Sequence, residues 1–439
     1  MAFTAAPSTS TNLEASLKRL YEPEYFEVHT NENAPYYAML KKMKNVEIRG
    51  EGMYWPFHLA LPETMGWLPE NGAFAPVKPR SEIQARMRAK QLGDSFRISV
   101  ILEAIGQAGG SFDKNEVQRH IKACVMQSTK HINRTFAGTE GTGRLGQIDA
   151  GTTTSDTFVM KKPLGAWLVK PRMLLDVYDA RTGGAISTVA DDATQLFVKS
   201  VNYQTRTVVV SQTDETTAVS LSLVADEHVY NYPDYGNAAN GLLGLVDDGT
   251  FEPTIHNQSR TTYPVLKSYV SSNAGVGRPL SEELLEDMIA LVRQNSGKNI
   301  DKLVANSGQR RQYYRFVKPQ RTYDISTSDK PGAFHTGATG KPQFLYEGGV
   351  GTFEFMEDIA PGMVFGLTSS AISRFETKPL DWFPGERGNI LKQAVGSTGR
   401  LTAWEAHICA ITNQGVLQPN AHGVIRDLLE PQLLGEAAE

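Results

Sequence analysis

From Ser81 to Val100 the chain reads SEIQARMRAKQLGDSFRISV, and its first half alternates without a fault. Ile83, Ala85, Met87 and Ala89 fall on one side, with Gln84, Arg86, Arg88 and Lys90 on the other. That period of two marks a half-buried strand. After Gly93 the apolar phase moves to Phe96, Ile98 and Val100, and a glycine at a phase change predicts a bulge that re-aims the strand. Upstream, Met53, Trp55, Phe57, Leu59 and Leu61 alternate in the same way. Between the two runs lies PETMGWLPENGAFAPVKP, with prolines at 62, 69, 76 and 79. The pattern predicts a two-stranded ribbon with a proline-rich tip and no third strand nearby in sequence. A lone ribbon is marginal in water, so this one needs a surface to lie on.

The 439 residues exceed one ordinary core and suggest two or three domains. The hydrophobic fraction of 40% is that of a globular protein, and a net charge of −4 lacks the basic signal of a dedicated nucleic-acid binder. Cys124 and Cys409 make no disulfide framework and match no zinc spacing, which reads as two small buried residues in a reducing site of folding. The start, MAFTAAPSTSTNLEASLKRL, has no charged segment followed by an apolar block, and no run has the length of a membrane span. The expectation is a soluble intracellular product.

Residues 1–45 read as an extended arm, first Ser/Thr-rich and then aromatic, with acids at Glu22, Glu24, Glu27 and Glu32. After the ribbon, SFDKNEVQRHIKACVMQSTKHINRTFAGT predicts a long helix. Ser111 is placed to cap it, Asp113 lies in its first turn, and Gly138 ends it. Its stripe is Val117, Ile121, Val125, Ile132 and Phe136, over about 40 Å. From 151 to 256 the texture turns all-β, with short Val/Leu/Thr runs between Gly/Asp turns, as in a small barrel or sandwich. Helix and strand then alternate. SEELLEDMIALVRQNSG is a helix with Glu282 and Glu283 in its first turn, and IDKLVANSGQRRQYYRFV is a strand followed by a helix. GTFEFMEDIAPGMVFGLTSSAISRFE predicts a hairpin-like pair turning at Pro361–Gly362. In TAWEAHICAIT, Thr402, Trp404, Ala406, Ile408 and Ala410 share one strand face.

Enzyme signatures fail. GTGRLG at 141–146 has the letters of a dinucleotide fingerprint, but a helix precedes it where a strand is required; it reads as a flexible connector. Pro342 stands where a Walker loop needs Ser or Thr after Lys341, and no G-x-S-x-G elbow occurs. His407 and Cys409 share a strand face without a third ligand, and Asp247–Gly249 lacks the spaced acids of a calcium loop. No catalytic residue, metal site or cofactor is expected. The returning ribbon strand is basic, with Lys78, Arg80, Arg86, Arg88, Lys90 and Arg97 against Glu82 and Asp94. Solvated faces, contact with an acidic neighbour and exposure to packed nucleic acid all fit such a run.

The order of elements resembles the major capsid proteins of tailed bacteriophages. The resemblance implies an α+β phage capsid fold: N-terminal arm (1–45), extended two-stranded loop (46–100), peripheral domain with a spine helix (101–150), inserted β domain (151–256), axial domain (257–357), peripheral-domain strands and loop (358–410), and a return to the axial domain (411–439). It further implies self-assembly, as hexamers and pentamers, into an icosahedral head shell, without a membrane. The implied partners are scaffold, portal and decoration proteins, with packaged double-stranded DNA close by. The implied location is the virion head, assembled in the host cytoplasm. Only about 45 residues precede the ribbon, so the scaffold is expected as a separate protein, or as a short cleaved segment at most. The ribbon would reach on the order of 65 Å from a body whose radius of gyration is about 21 Å. Its apolar face is therefore expected on an adjacent subunit, with Trp67, Leu68, Phe74, Lys78, Arg86 and Arg88 as intersubunit contacts. A bacterial nanocompartment shell protein, which shares this fold, and a nucleotide-dependent enzyme using Gly141–Gly146 are the alternatives.

Overall fold

The computed structural model describes residues 35–43, 47–49, 52–60, 67, 70, 81–100, 116–150, 156–162, 164–181, 195–212, 217, 219, 221–317, 343–346, 349–383, 392–396 and 399–429. They divide between two compact units, a smaller one with Lys90–Asn133 and Glu376–Thr412, and a larger one with Tyr36–Ala89, Arg134–Phe375 and the chain from Asn413 on. The arm before residue 35, the expected helix start at Ser111 and Asp113, and residues 384–391 lie outside the described residues.

In the larger unit, the short helix α1 (Pro35–Met39) leads to β1 (Glu47–Arg49), β2 (Gly52–Ala60) and β3 (Ser81–Arg88). They form an antiparallel sheet in the order β1-β2-β3, so a third strand joins the two that alternation predicts. Trp55 stands opposite Ala85 and Phe57 opposite Ile83.

The phase change lies at Ala89, not at Gly93. There the strand stops and β4 (Lys90–Ser99) begins with a different pairing partner, the strand Gly399–Val416. Gly93 sits in unbroken register opposite Cys409, with no bulge. Exchange of partner absorbs the odd residue, so the glycine has no register to correct.

Long helix α2 (Glu116–Gly138) follows. Cys124, Ser128, Ile132 and Phe136, four apart, are buried along it, while Val125 is only half-buried. Gly138 is its last helical residue rather than a left-handed cap. A Cβ there would stand 2.5 Å from Leu168 and 2.6 Å from the Asp358 carbonyl, so close approach requires the glycine.

Next, β5 (Arg144–Ala150), β6 (Thr157–Met160), β7 (Leu174–Tyr178), β8 (Leu196–Asn202), β9 (Thr207–Ser211) and β10 (His228–Asn231) close an antiparallel barrel in the order β10-β5-β6-β9-β8-β7. Every second residue points inward, as barrel strands require: Phe158 and Met160, Leu175 and Val177, Leu196 and Val198, Val208 and Val210. Its first strand opens inside GTGRLG, so that motif is no flexible connector.

After a one-turn helix α3 (Leu242–Leu245), β11 (Thr254–Ile255) and β12 (Gln258–Ser259) make a tight hairpin. Then come β13 (Tyr269–Ser271), α4 (Glu282–Ser296), β14 (Lys302–Ala305), α5 (Ser307–Val317), β15 (Gln343–Tyr346), β16 (Gly349–Phe355) and β17 (Val364–Leu367). Beyond them lie β18 (Ile372–Trp382), β19 (Lys392–Gly396), β20 (Gly399–Val416) and β21 (Gly423–Ile425). Strands β13-β21-β17-β14-β16-β15 form a six-stranded mixed sheet. Helix α4 starts where its sequence directs: Ser281 Oγ accepts from the Leu284 N–H at 3.3 Å, and Gly297 closes the helix at φ 68°. Its apolar face, Leu285, Met288, Ile289 and Val292, packs with Ile300, Leu303, Val364 and Ile425. The hairpin expected at Pro361–Gly362 is absent. β14 lies between β16, to which it is parallel, and β17, to which it is antiparallel. A buried central strand gains two ladders, whereas a local hairpin would leave it with one.

In the smaller unit β20 pairs with β4 from Ala403↔Ser99 to Thr412↔Lys90, and it also pairs with β18 and β19. Leu92, Asp94, Phe96 and Ile98 share one face of β4. Cys124 and Ser128 of α2 both donate to Asp94 Oδ2 at 3.4 Å, and Phe96 meets Trp382 edge-on at 5.9 Å.

Candidate assembly interface

The ribbon's inner face is covered by its own chain. Met53, Trp55, Phe57, Ala85 and Met87 are buried. The Trp55 ring stacks on Phe375 at 5.3 Å, and meets His256 at 4.8 Å and Phe57 at 6.0 Å edge-on. Gly415 makes this closure possible: a Cβ there would stand 2.6 Å from Phe375, 3.2 Å from His256 and 3.2 Å from Met87 Sδ. The expectation that another copy must cover this face is corrected for the described part of the ribbon. Sequence distance hides the partners, since Phe375, His256 and Gly415 lie far along the chain from Trp55.

His256 sits at the centre of the seat. It and Asn257 turn the β11–β12 hairpin with φ 48° and 67°, the two left-handed residues of a tight hairpin turn. The His256 carbonyl accepts from the Arg86 N–H at 3.0 Å, and Gln258 Nε2 donates to the Gln84 carbonyl at 2.7 Å. Its Nε2 accepts from the Val416 N–H at 3.1 Å, which fixes the neutral tautomer with the proton on Nδ1. Burial, with the Arg260 charge added, lowers its pKa to about 3. Among the described residues the buried Trp55 indole N–H meets no acceptor.

Trp67 is different. It is 105% exposed, the most exposed large apolar side chain among the described residues. Leu68, Phe74 and Lys78 lie outside the described residues. Arg86 lies over the Tyr54 ring at 5.8 Å with its Nε buried, while Arg88 is exposed and its carbonyl accepts from Asn413 Nδ2 at 2.8 Å. Arg86 and Arg88 are thus on the outward face of the ribbon, and Arg86 is partly committed to its own strand pair.

The residues of the GTGRLG motif serve packing and ion pairing. Arg144 pairs with buried Glu140, and Arg181 bridges Glu140 at 3.0 Å and Glu252 at 2.8 Å. A Cβ at Gly143, where φ is 81°, would strike Ala238 at 2.4 Å. Asp247 is buried between Arg426 at 2.6 Å and Arg260 at 3.5 Å, and it accepts from the N–H groups of Gly249, Phe251 and Glu252. Among the described residues no group of three His, Cys, Asp or Glu side chains is placed to hold a metal ion. No described helix is long and apolar enough to cross a membrane.

With this architecture established, its likeness is to a capsid. The chain is similar to the protein of the cyanophage A-1(L) capsid asymmetric unit, with 12% identity and a TM-score of 0.52, covering 92% of this chain and 95% of that one. The fold is that of a phage capsid protein. Weaker likenesses are to the capsid of an empty GTA particle (9% identity, 98% and 100% covered, TM-score 0.44) and to the holo-SrpI encapsulin complex from Synechococcus elongatus (6% identity, 97% and 98% covered, TM-score 0.41). No family model matches the sequence, and no curated protein does. The shared fold extends over nearly the whole chain.

Proposed function

We propose that this chain is a major capsid protein, copies of which assemble into the icosahedral head shell around a phage genome. The observation that supports this reading most is the capsid fold aligned end to end, over 92% of this chain and 95% of the cyanophage capsid protein. In this reading the division into arm, extended loop, spine helix, inserted barrel, axial and peripheral parts is a division of labour among subunit contacts. The ribbon's base is held by its own core, so that its tip is presented to a neighbour. Trp67 is the anchor there, a large exposed apolar residue of the kind that marks contact sites, with Leu68, Phe74 and Lys78 beside it in sequence. Arg86 and Arg88 add salt-sensitive steering more than affinity. Scaffold, portal and decoration proteins are the further partners, double-stranded DNA fills the interior, and assembly takes place in the host cytoplasm.

Negative-stain electron microscopy of the full chain, expressed with and without the other head genes, tests the reading. Closed shells or ring-shaped capsomers are expected. A species that stays monomeric at every concentration and with every head protein present would sink it.

A further inference from the structure

The smaller unit holds two cysteines in opposite surroundings. Cys124 Sγ donates to Asp94 Oδ2 at 3.4 Å, and burial together with that carboxylate pushes its thiol up to about 12. A thiol held protonated is inert toward oxidants. Cys409 lies on the other face of the β4–β20 pair, because Asp94 stands opposite Ile408 and the next pair is Gly93 with Cys409. There Lys378 Nζ, from β18, is 3.1 Å from Cys409 Sγ. The same ammonium sits 5.3 Å from the centre of the Phe383 ring, so two contacts hold it near the sulfur.

Gly93 gives access. The position across from Cys409 carries no side chain, and among the described residues a Cβ there would meet nothing nearer than the Ile408 carbonyl at 3.9 Å. Gly93 itself is exposed, while Cys409 is 6% exposed. A small oxidant therefore reaches a sulfur that bulky thiols do not, with a primary amine already in contact.

We propose that Cys409 and Lys378 form an oxidant-triggered covalent link between β20 and β18. The oxidant is a peroxide. The Cys409 thiolate attacks a peroxide oxygen, the O–O bond breaks, and sulfur gives up two electrons to yield a sulfenic acid and water. Sulfenic acids condense with nitrogen nucleophiles to sulfenamides. The Lys378 amine, after losing its ammonium proton to solvent, attacks the sulfur. The S–N bond forms as the S–O bond breaks, and hydroxide leaves as water with a proton from nitrogen. The sum consumes one peroxide, releases two waters and joins the two side chains. Once the chain is digested and the sulfur exposed, thiol attacks the sulfenamide sulfur, releasing the free amine and forming a mixed disulfide. A second thiol then returns the free cysteine. The link fastens two neighbouring strands of one unit and lets a subunit record an oxidising environment.

The test uses the full chain treated with dilute hydrogen peroxide and digested with trypsin without reductant. Residues 375–387 and 401–426 form two tryptic peptides, because Pro379 protects the Lys378 bond. The expected product is one species with their summed mass less two hydrogens, separated again by added thiol, with Cys124 unmodified. In Lys378→Arg the charge stays but the guanidinium is no nucleophile. That variant should lose the linked species and show Cys409 as sulfinic acid instead. The proposal is overturned if the unsubstituted chain yields sulfinic acid at Cys409 as fast as the variant does and no linked peptide. Cys409 remaining a free thiol in peroxide that oxidises a model thiol would overturn it equally.

Discussion

Trp55 and Trp67 belong to the same ribbon and meet opposite fates. Trp55 is 6% exposed, stacked on Phe375 and closed in by His256, whereas Trp67 is 105% exposed. In sequence Trp55 alternates with Met53, Phe57 and Leu59 as a strand residue while Trp67 lies between Pro62 and Pro69, but neither pattern says what covers the ring. The difference separates the ribbon's base, which belongs to the chain's own core, from exposed Trp67, to which we assign the proposed contact with another copy.

The largest test of this contrast is at the base. Trp55→Ala removes a buried indole and should cost about 3–5 kcal/mol of subunit stability, read by chemical denaturation of unassembled protein. A loss below about 1 kcal/mol, the usual effect of an ordinary substitution, would show that the base is not part of the core. At the tip, Trp67→Ala should leave subunit stability within about 0.5 kcal/mol, as for a surface change. It should weaken assembly by about 2 kcal/mol or more per contact, measured as a rise in the concentration at which shells or capsomers form. Equal and opposite results at the two tryptophans would reverse the division.

The third test sharpens the role of His256. Its folded pKa, lowered from 6.5 to about 3, means that the unfolded chain binds the extra proton between those values. This contribution to stability is complete above pH 6.5, declines as pH falls through the window, and levels off below 3. The slope is at most about 1.4 kcal/mol per pH unit for one site. Asp176 works against it, since burial and then Asp234 raise its pKa from 3.8 to about 6, which favours the folded state as pH falls from 6 to 3.8. His422, lowered to about 4 by burial, acts with His256. Comparison with His256→Gln isolates the site, because the amide oxygen still accepts from Val416 while nothing titrates. Denaturation midpoints should show a shallower acid decline in the variant, and identical slopes would remove His256 from the seat's energetics.

Much of the local architecture was legible. Alternation from Ile83 to Met87 identified the buried face of β3, and SEELLEDMIALVRQNSG was readable as the helix that runs from Glu282 to Ser296. The barrel was readable as closely spaced Val/Thr runs, although its first strand, beginning at Arg144, was hidden behind a motif with another association. Illegible features depended on partners. The phase change at Ala89 reflects a switch from β2 to β20. The turn at Gly362 looked like a hairpin because nothing nearby in sequence reveals that β14 intervenes. Of the ribbon's seat, only the turn residues His256 and Asn257 left a local trace, and Gly415 gave none.

Periodicity, caps and turn residues are properties of neighbours along the chain, and from them the sequence alone determined most of the strands and helices, their order and the faces that must be buried. That order sufficed for the capsid resemblance. What covers each face depends on residues hundreds of positions apart, whose meeting is a sum of packing energies over the whole fold. Only the tertiary structure decided that Phe375, His256 and the bare backbone at Gly415 fill the space under Trp55. It also decided that Lys378 Nζ lies against Cys409 Sγ with the bare backbone of Gly93 across from it, and that Trp67 stands exposed among the described residues.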